Sequence, residues 1–134
     1  ITGKCAKDTL IPDLVSIFKF NDQYQFIICN AKYYNAHLEK GIVPTGQPGI
    51  ESVTKQYLYQ LAYQKFIEDH NFSSVKNCFL LPTENNEIED KGEVRMEMLS
   101  NLGLQDIKGR LIPATMAYDL YLSGRKMDIA DLEL

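Results

Sequence analysis

At 134 residues and a formal charge of −4, the chain is long enough for one domain around a single core and too short for two. The acidic balance excludes a protein that coats nucleic acid indiscriminately, whose footprint is a Lys/Arg excess; it does not exclude a DNA enzyme, because carboxylates that hold cations recruit positive charge absent from the residue count. Cys5, Cys29 and Cys78 are odd in number and lack CxxC or Cys/His spacing, which sets aside a disulfide framework and a zinc site and fits a reducing cytoplasm.

The chain opens on Ile1 with no charged-then-apolar leader, so it reads as a piece of a longer polypeptide. Leu14 to Phe20 and Tyr24 to Cys29 are β-branched and aromatic, and Asn21-Asp22 between them is turn chemistry. A β-hairpin is predicted, its second strand running on to about Lys32. Residues 35–50, with Pro44, Gly46, Pro48 and Gly49, read as a loop of the kind that crosses a site opening. From Glu51 to His70 there is no Gly or Pro, and Val53, Tyr57, Leu61 interleave with Leu58, Ala62, Phe66 at helical spacing. That predicts a helix beginning at Ile50 or Glu51 and stopped by Asn71.

Val75 to Leu81 reads as a buried strand closed by Pro82, and residues 83–91 as a solvated acidic loop. Val94, Met96 and Met98 alternate with Arg95 and Glu97, the pattern of a half-exposed strand. Gly103 and Gly109 bracket a turn, and Arg110 to Pro113 leads as a short strand into a helix over Ala114 to Leu122, stopped by Gly124. The tail MDIADLEL is either one more helical turn or a frayed end. The order β-β-α-β-β-α fits an α/β sandwich around a mixed central sheet. No apolar stretch approaches the roughly 20 residues that span a bilayer, so no membrane partner is expected.

Chemistry concentrates at one corner of the hairpin. A short hairpin sets the start of its first strand against the end of its second, which brings Asp13 and Asn30 together. By the period of two, Asn30 and Lys32 share a face while Ala31 points away and leaves its carbonyl available. An acid, an amide, a main-chain carbonyl and an ammonium are thus predicted to converge.

Pro12-Asp13 followed by Asn30-Ala31-Lys32 at the end of a hairpin, and then by a helix, resembles the PD-(D/E)xK nuclease superfamily. The run NAKYYN, with the Pro/Gly loop and helix GQPGIESVTKQYLYQLAY after it, is similar to the C-terminal nuclease domains of LlaJI-type and McrC-like restriction endonucleases. The resemblance implies an α/β, restriction-endonuclease-like core in which helices flank a mixed central β-sheet, with residues 1–134 forming a single nuclease domain at the C-terminal end of a longer protein. It also implies Mg²⁺, with Mn²⁺ able to substitute, held by Asp13, Asn30 and the Ala31 carbonyl, and a Lys32 that orients and helps deprotonate the attacking water. On the helix, Lys55, Gln56 and Tyr59 match the family's polar set; Lys55 and Tyr59 share a face with Gln56 beside them, placed to contact a phosphate or brace Lys32.

The partners implied are double-stranded DNA and other domains or subunits for sequence recognition, since the chain carries no GxxxxGK[ST] phosphate loop. Cutting both strands calls for two sites in register, so a homodimer is among the arrangements admitted. A cytoplasmic restriction system, active in phage defence, is the setting that follows.

Position 30 departs from the family pattern, which has Asp or Glu there. Asn presents a neutral oxygen and a competing NH₂ donor, and loses the charge that draws Mg²⁺. Its shape is that of Asp, so the fold should accept either residue while metal affinity and cleavage fall with Asn. Two origins stay open: a substitution that disarms a toxic nuclease, favoured by the otherwise intact motif, or natural degeneracy. The rival reading keeps the same fold as a catalytically inactive DNA-binding or subunit-docking module.

Overall fold

The computed structural model describes residues 11–32, 50–94 and 101–134. The expected loop through Pro44 to Gly49, and the Arg95 to Met98 part of the expected fourth strand, lie outside them.

The hairpin forms as its sequence dictates. Strands β1 (Leu14–Phe20) and β2 (Gln23–Ala31) pair antiparallel from Leu14↔Cys29 to Phe20↔Gln23. Asn21 and Asp22 close it with φ of 51° and 62°, a left-handed pair that suits strand twist and that short polar side chains accept. Helix α1 (Ile50–Asp69) follows. Asn71 ends it at φ 52°; the Phe72 N–H reaches the Ile67 carbonyl at 3.4 Å and the Asn71 N–H the Glu68 carbonyl at 3.2 Å. Ile67 and Phe72 then pack in one cluster, the apolar contact that accompanies this kind of cap.

α1 carries the chain back so that β3 (Ser74–Thr83) runs parallel to β2, with Cys29 opposite Cys78. β5 (Ile107–Pro113) lies parallel to β3, and β4 (Glu89–Val94) pairs antiparallel with β5 at the sheet edge. The strand order is β1-β2-β3-β5-β4. Helix α2 (Ala114–Ser123) ends on Gly124 in the left-handed region, and a 3-10 turn (Ile129–Leu132) closes the chain. The architecture is α/β around a mixed five-stranded sheet, as a restriction-endonuclease-like core requires.

Three boundaries differ from the sequence reading. β3 passes through Pro82 instead of stopping there. In an extended strand a residue's N and O face the same neighbour, and the Leu80 carbonyl faces β2 by accepting from the Lys32 N–H at 2.8 Å. Pro82, two residues on, faces the same way, past the last β2 pair at Ala31↔Leu80, so its missing N–H breaks no ladder bond. β4 starts at Glu89, inside the segment expected as loop, and β5 starts at Ile107 and takes in Gly109. With the expected Arg110 to Pro113 strand counted in full, the order is β-β-α-β-β-β-α.

Each face of the sheet has its own cover. On one, Val53 and Tyr57 of α1 meet Phe79, Leu81 and Ile107, while Tyr59 and Ile67 meet Phe26 and Ile28. On the other, Ile27, Cys29 and Cys78 are packed with Phe18, Leu80 and the tail residues Ile129 and Leu134. Fully burying an aliphatic or aromatic side chain contributes roughly 1.5–3 kcal/mol, so both covers matter to stability. No described helix is long and apolar enough to cross a membrane.

Candidate active site

The hairpin register decides what meets at its open end. With Leu14 opposite Cys29, Asp13 falls beside Asn30, and two hydrogen bonds lock the corner. The Asp13 N–H donates to Asn30 Oδ1 at 2.9 Å, and the Ala31 N–H donates to Asp13 Oδ2 at 2.9 Å. Asp13 is exposed and Asn30 only 4% so. The carboxylate sits at the mouth of the site and the amide at its floor.

Lys32 follows on the Asn30 side, its Nζ 5.4 Å from the centroid of the Phe79 ring, a residue that is itself the register partner of Asn30. Ala31 turns to the opposite face, where it lines a cleft with Leu80, Ile112 and Tyr118. The sequence pattern thus brings Asp13, Asn30, Ala31 and Lys32 to one strand end, at the carboxyl side of the parallel strands β2 and β3.

The helix residues are placed differently from the exposed set the pattern suggested. Lys55 is exposed, but Gln56 is 0% and Tyr59 2% exposed. Tyr59 is core, packed with Phe26 and Ile28. Gln56 points inward and accepts from Asn30 Nδ2 at 3.0 Å, so it braces Asn30 instead of presenting itself to a phosphate or to Lys32. The physical reason is the helical period: positions 53, 56, 57 and 60 form the stripe that faces the sheet.

Behind Gln56 runs a chain of amides that the sequence reading missed. Gln56 Nε2 donates to the Ile28 carbonyl at 3.0 Å and to Asn77 Oδ1 at 3.3 Å. Asn77 Nδ2 donates to Gln60 Oε1 at 2.7 Å and to the Gln105 carbonyl at 3.4 Å, and the Gln105 N–H donates to Gln60 Oε1 at 3.3 Å. Asn77 and Gln60 are 0% and 4% exposed. One signal was present in the sequence: Asn77 interrupts the apolar run of β3, and a buried amide needs partners.

Oxygen is the donor type that Mg²⁺ takes, and the corner offers a carboxylate, an amide oxygen and a main-chain carbonyl. The donor set fits such a cation in kind and falls short in charge, because among the described residues Asp13 is the one carboxylate of this hydrogen-bonded corner. No cluster of three or more His, Cys, Asp or Glu occurs among the described residues.

The mixed five-stranded sheet flanked by helices is consistent with a restriction-endonuclease-like core. The model of the LlaJI restriction endonuclease family matches residues 1–121, and the chain belongs to that family. It is also 33% identical over 128 residues to the Type II restriction enzyme BsuMI component YdjA of Bacillus subtilis strain 168. That alignment takes in 94% of this chain and 26% of the relative, so the chain spans about a quarter of that protein's length. No solved structure matches the chain.

Proposed function

We propose that the chain is the Mg²⁺-dependent endonuclease domain of a restriction system, of the PD-(D/E)xK type, hydrolysing phosphodiesters of double-stranded DNA. The observation that carries the reading is the corner itself, where Asp13, position 30, the Ala31 carbonyl and Lys32 meet at one strand end. Asp13, the position-30 side chain and the Ala31 carbonyl would hold the cation, which when bound polarises the scissile phosphate and lowers the pKa of water. Mn²⁺ would serve in its place. The Lys32 ammonium lies beside the reacting phosphate, orients the attacking water and offsets the charge that builds in the transition state. Lys55, exposed on α1, contacts the DNA backbone, while sequence recognition belongs to other domains or subunits. The family and the name of the Bacillus relative, a component of a Type II enzyme, support that division of labour.

With Asn at position 30 the site is one charge short, so the chain as it stands should cleave weakly or not at all. The test is plasmid cleavage in Mg²⁺ or Mn²⁺. The Asn30→Asp variant should cut, and Asn30→Asp combined with Lys32→Ala should not. An inert single variant with no Mg²⁺-dependent rise in thermal midpoint would rule the metal site out.

A second reading has its own support. Both ends of the Asn30 amide are engaged by protein partners, as in a side chain kept for structure. On that reading the domain is an inactive DNA-binding or subunit-docking module. It predicts DNA affinity that falls steeply with salt and no cleavage by any variant at position 30.

A further inference from the structure

Helix α2 follows β5 without a break, at the carboxyl ends of the parallel strands, and buries none of its ten residues. A surface helix holds its place by packing an apolar stripe against a neighbour, so one that buries nothing has its stripe still to use. Positions 114, 117, 118 and 121 stand at i, i+3, i+4 and i+7 and share a face, which reads Ala, Ala, Tyr, Tyr from the amino end. Tyr118 and Tyr121 are 69% and 83% exposed, and Leu122, which flanks them, is 79% exposed. The same four residues form one wall of a cleft of about 450 Å³, with Ala31, Leu80 and Ile112 on the sheet side. None of the described residues lining it is charged, and the one charge on α2, Asp119, falls on the far side of the helix. A DNA backbone calls for Lys and Arg, which this surface does not offer; apolar side chains of a protein fit it.

We propose that this surface pairs two copies of the chain about a two-fold axis, with their α2 helices antiparallel. The stripe is its own complement in that arrangement and not in a parallel one. With the axis between positions 117 and 118, position 114 of one copy stands level with 121 of the other and 117 with 118, so each copy's tyrosines meet the other's alanines and the cleft beside them. Parallel helices would instead set tyrosine on tyrosine and leave alanine facing alanine across a gap. The area is sufficient as well. From exposures of 69% and 83%, and the roughly 150–250 Å² that an aromatic side chain can bury, the two tyrosines supply roughly 450–750 Å² across the pair. Leu122 and the cleft walls bring the total to the roughly 1,000 Å² that a specific interface requires. Ala31, which belongs to the hairpin corner, lines the cleft, so the pairing sets two corners beside one interface. Two sites in one assembly are what cutting both strands requires; that meaning rests on the nuclease reading, and the pairing itself does not.

Sedimentation velocity of the full chain in EDTA without DNA tests the pairing apart from cleavage. The 15.3 kDa chain should approach twice its mass as concentration rises, with a Kd of about 100 μM or tighter. A chain that stays monomeric at about ten times that concentration overturns the proposal, and its α2 is then covered by another part of the same chain or by a different component. The two copies of position 117 lie next to the axis. Ala117→Glu and Ala117→Lys should therefore each weaken pairing at least about tenfold through like-charge repulsion, and mixing the two variants should restore it. Both substitutions fall on an exposed position and should fold. Should either not, Tyr121→Ser takes its place, at a site 83% exposed, and should weaken pairing by the same factor. A dimer indifferent to these changes, or a mixture that pairs no more tightly than its separate components, overturns the proposal. Pairing in a chain that no substitution at position 30 makes cut leaves this inference standing and removes the nuclease reading; cutting by a chain that remains monomeric does the reverse.

Discussion

Lys32 is where chemistry and folding separate most cleanly at the scale of a single residue. Its Nζ stands 5.4 Å from the Phe79 centroid, and a half-exposed cation over a ring contributes about 0.5–1 kcal/mol. A charge poised at a reacting phosphate is worth far more to the rate. Lys32→Met, made on the Asn30→Asp background, should therefore lower cleavage by about 100-fold or more while moving unfolding stability by less than about 1 kcal/mol. Plasmid-nicking rates and urea unfolding on the same preparation check both halves, and an equal loss in the two would make Lys32 a structural residue. The meeting of Asp13, Asn30 and Lys32 was legible because hairpin register and period two are local rules. The environment of Asn30 was not. Its brace comes from Gln56, 26 residues away, and Asn77 and Gln60, a further step back, are themselves 17 residues apart. Asn77 betrays its burial by interrupting an apolar run, but Asn30 stands at a strand end, where the sequence does not distinguish an amide that a distant helix will bury from one that water will solvate.

Among the elements, those that bury a side-chain pattern could be read and those that hide at an edge could not. β1, β2 and α1 follow from aromatic and β-branched runs, turn residues and helical spacing. β4 has the sequence EDKGEV and the burial of an edge strand, with Gly92 at φ 98° where the register slips. Charges on an edge are how sheets avoid pairing with strangers, so the residues that protect β4 also conceal it. Arg110 is what this edge gives the molecule. Its side chain is 7% exposed, and it donates to Asp90 Oδ1 at 2.8 Å and to the carbonyls of Leu132 at 2.7 Å and Glu133 at 3.0 Å. One guanidinium thus ties β5, β4 and the C-terminal turn together. Arg110→Met keeps the packing stem but leaves those carbonyls without their donor, and should cost about 3 kcal/mol. The loss should concentrate in the tail: hydrogen exchange at residues 129–134 should quicken well before exchange in β2 and β3. Uniform acceleration throughout the sheet would mean that Arg110 supports the whole fold and not the tail in particular.

For the whole molecule, the two-sided sheet makes the tail a structural cover equivalent in kind to α1. Leu132 is 1% exposed, and Ile129 and Leu134 lie over the layer that contains Cys29 and Cys78. These thiols face each other across parallel strands, and they report on that cover. Hydrogen bonding to Cys29 and burial together push the Cys78 thiol well above its ordinary value of 9.0; the same bond draws Cys29 down, against the effect of its burial. Since the thiolate is the nucleophile, folded Cys78 should be inert to alkylation at pH 8. The sign for stability follows as well. A folded-state value above the unfolded one gives a contribution that is complete below about pH 9 and is lost as the pH rises further, because only the unfolded chain releases the proton. In a Cys5→Ser variant, which leaves Cys29 and Cys78 as the remaining thiols, iodoacetamide labelling at pH 8 should proceed no faster than opening of the structure, with a denaturant dependence that reports how much opens. With the tail intact, that dependence should match global unfolding. In an added Leu132→Ala variant labelling should quicken and its denaturant dependence should shrink, because the thiols would then be reached by lifting the tail while the sheet and α1 stay folded.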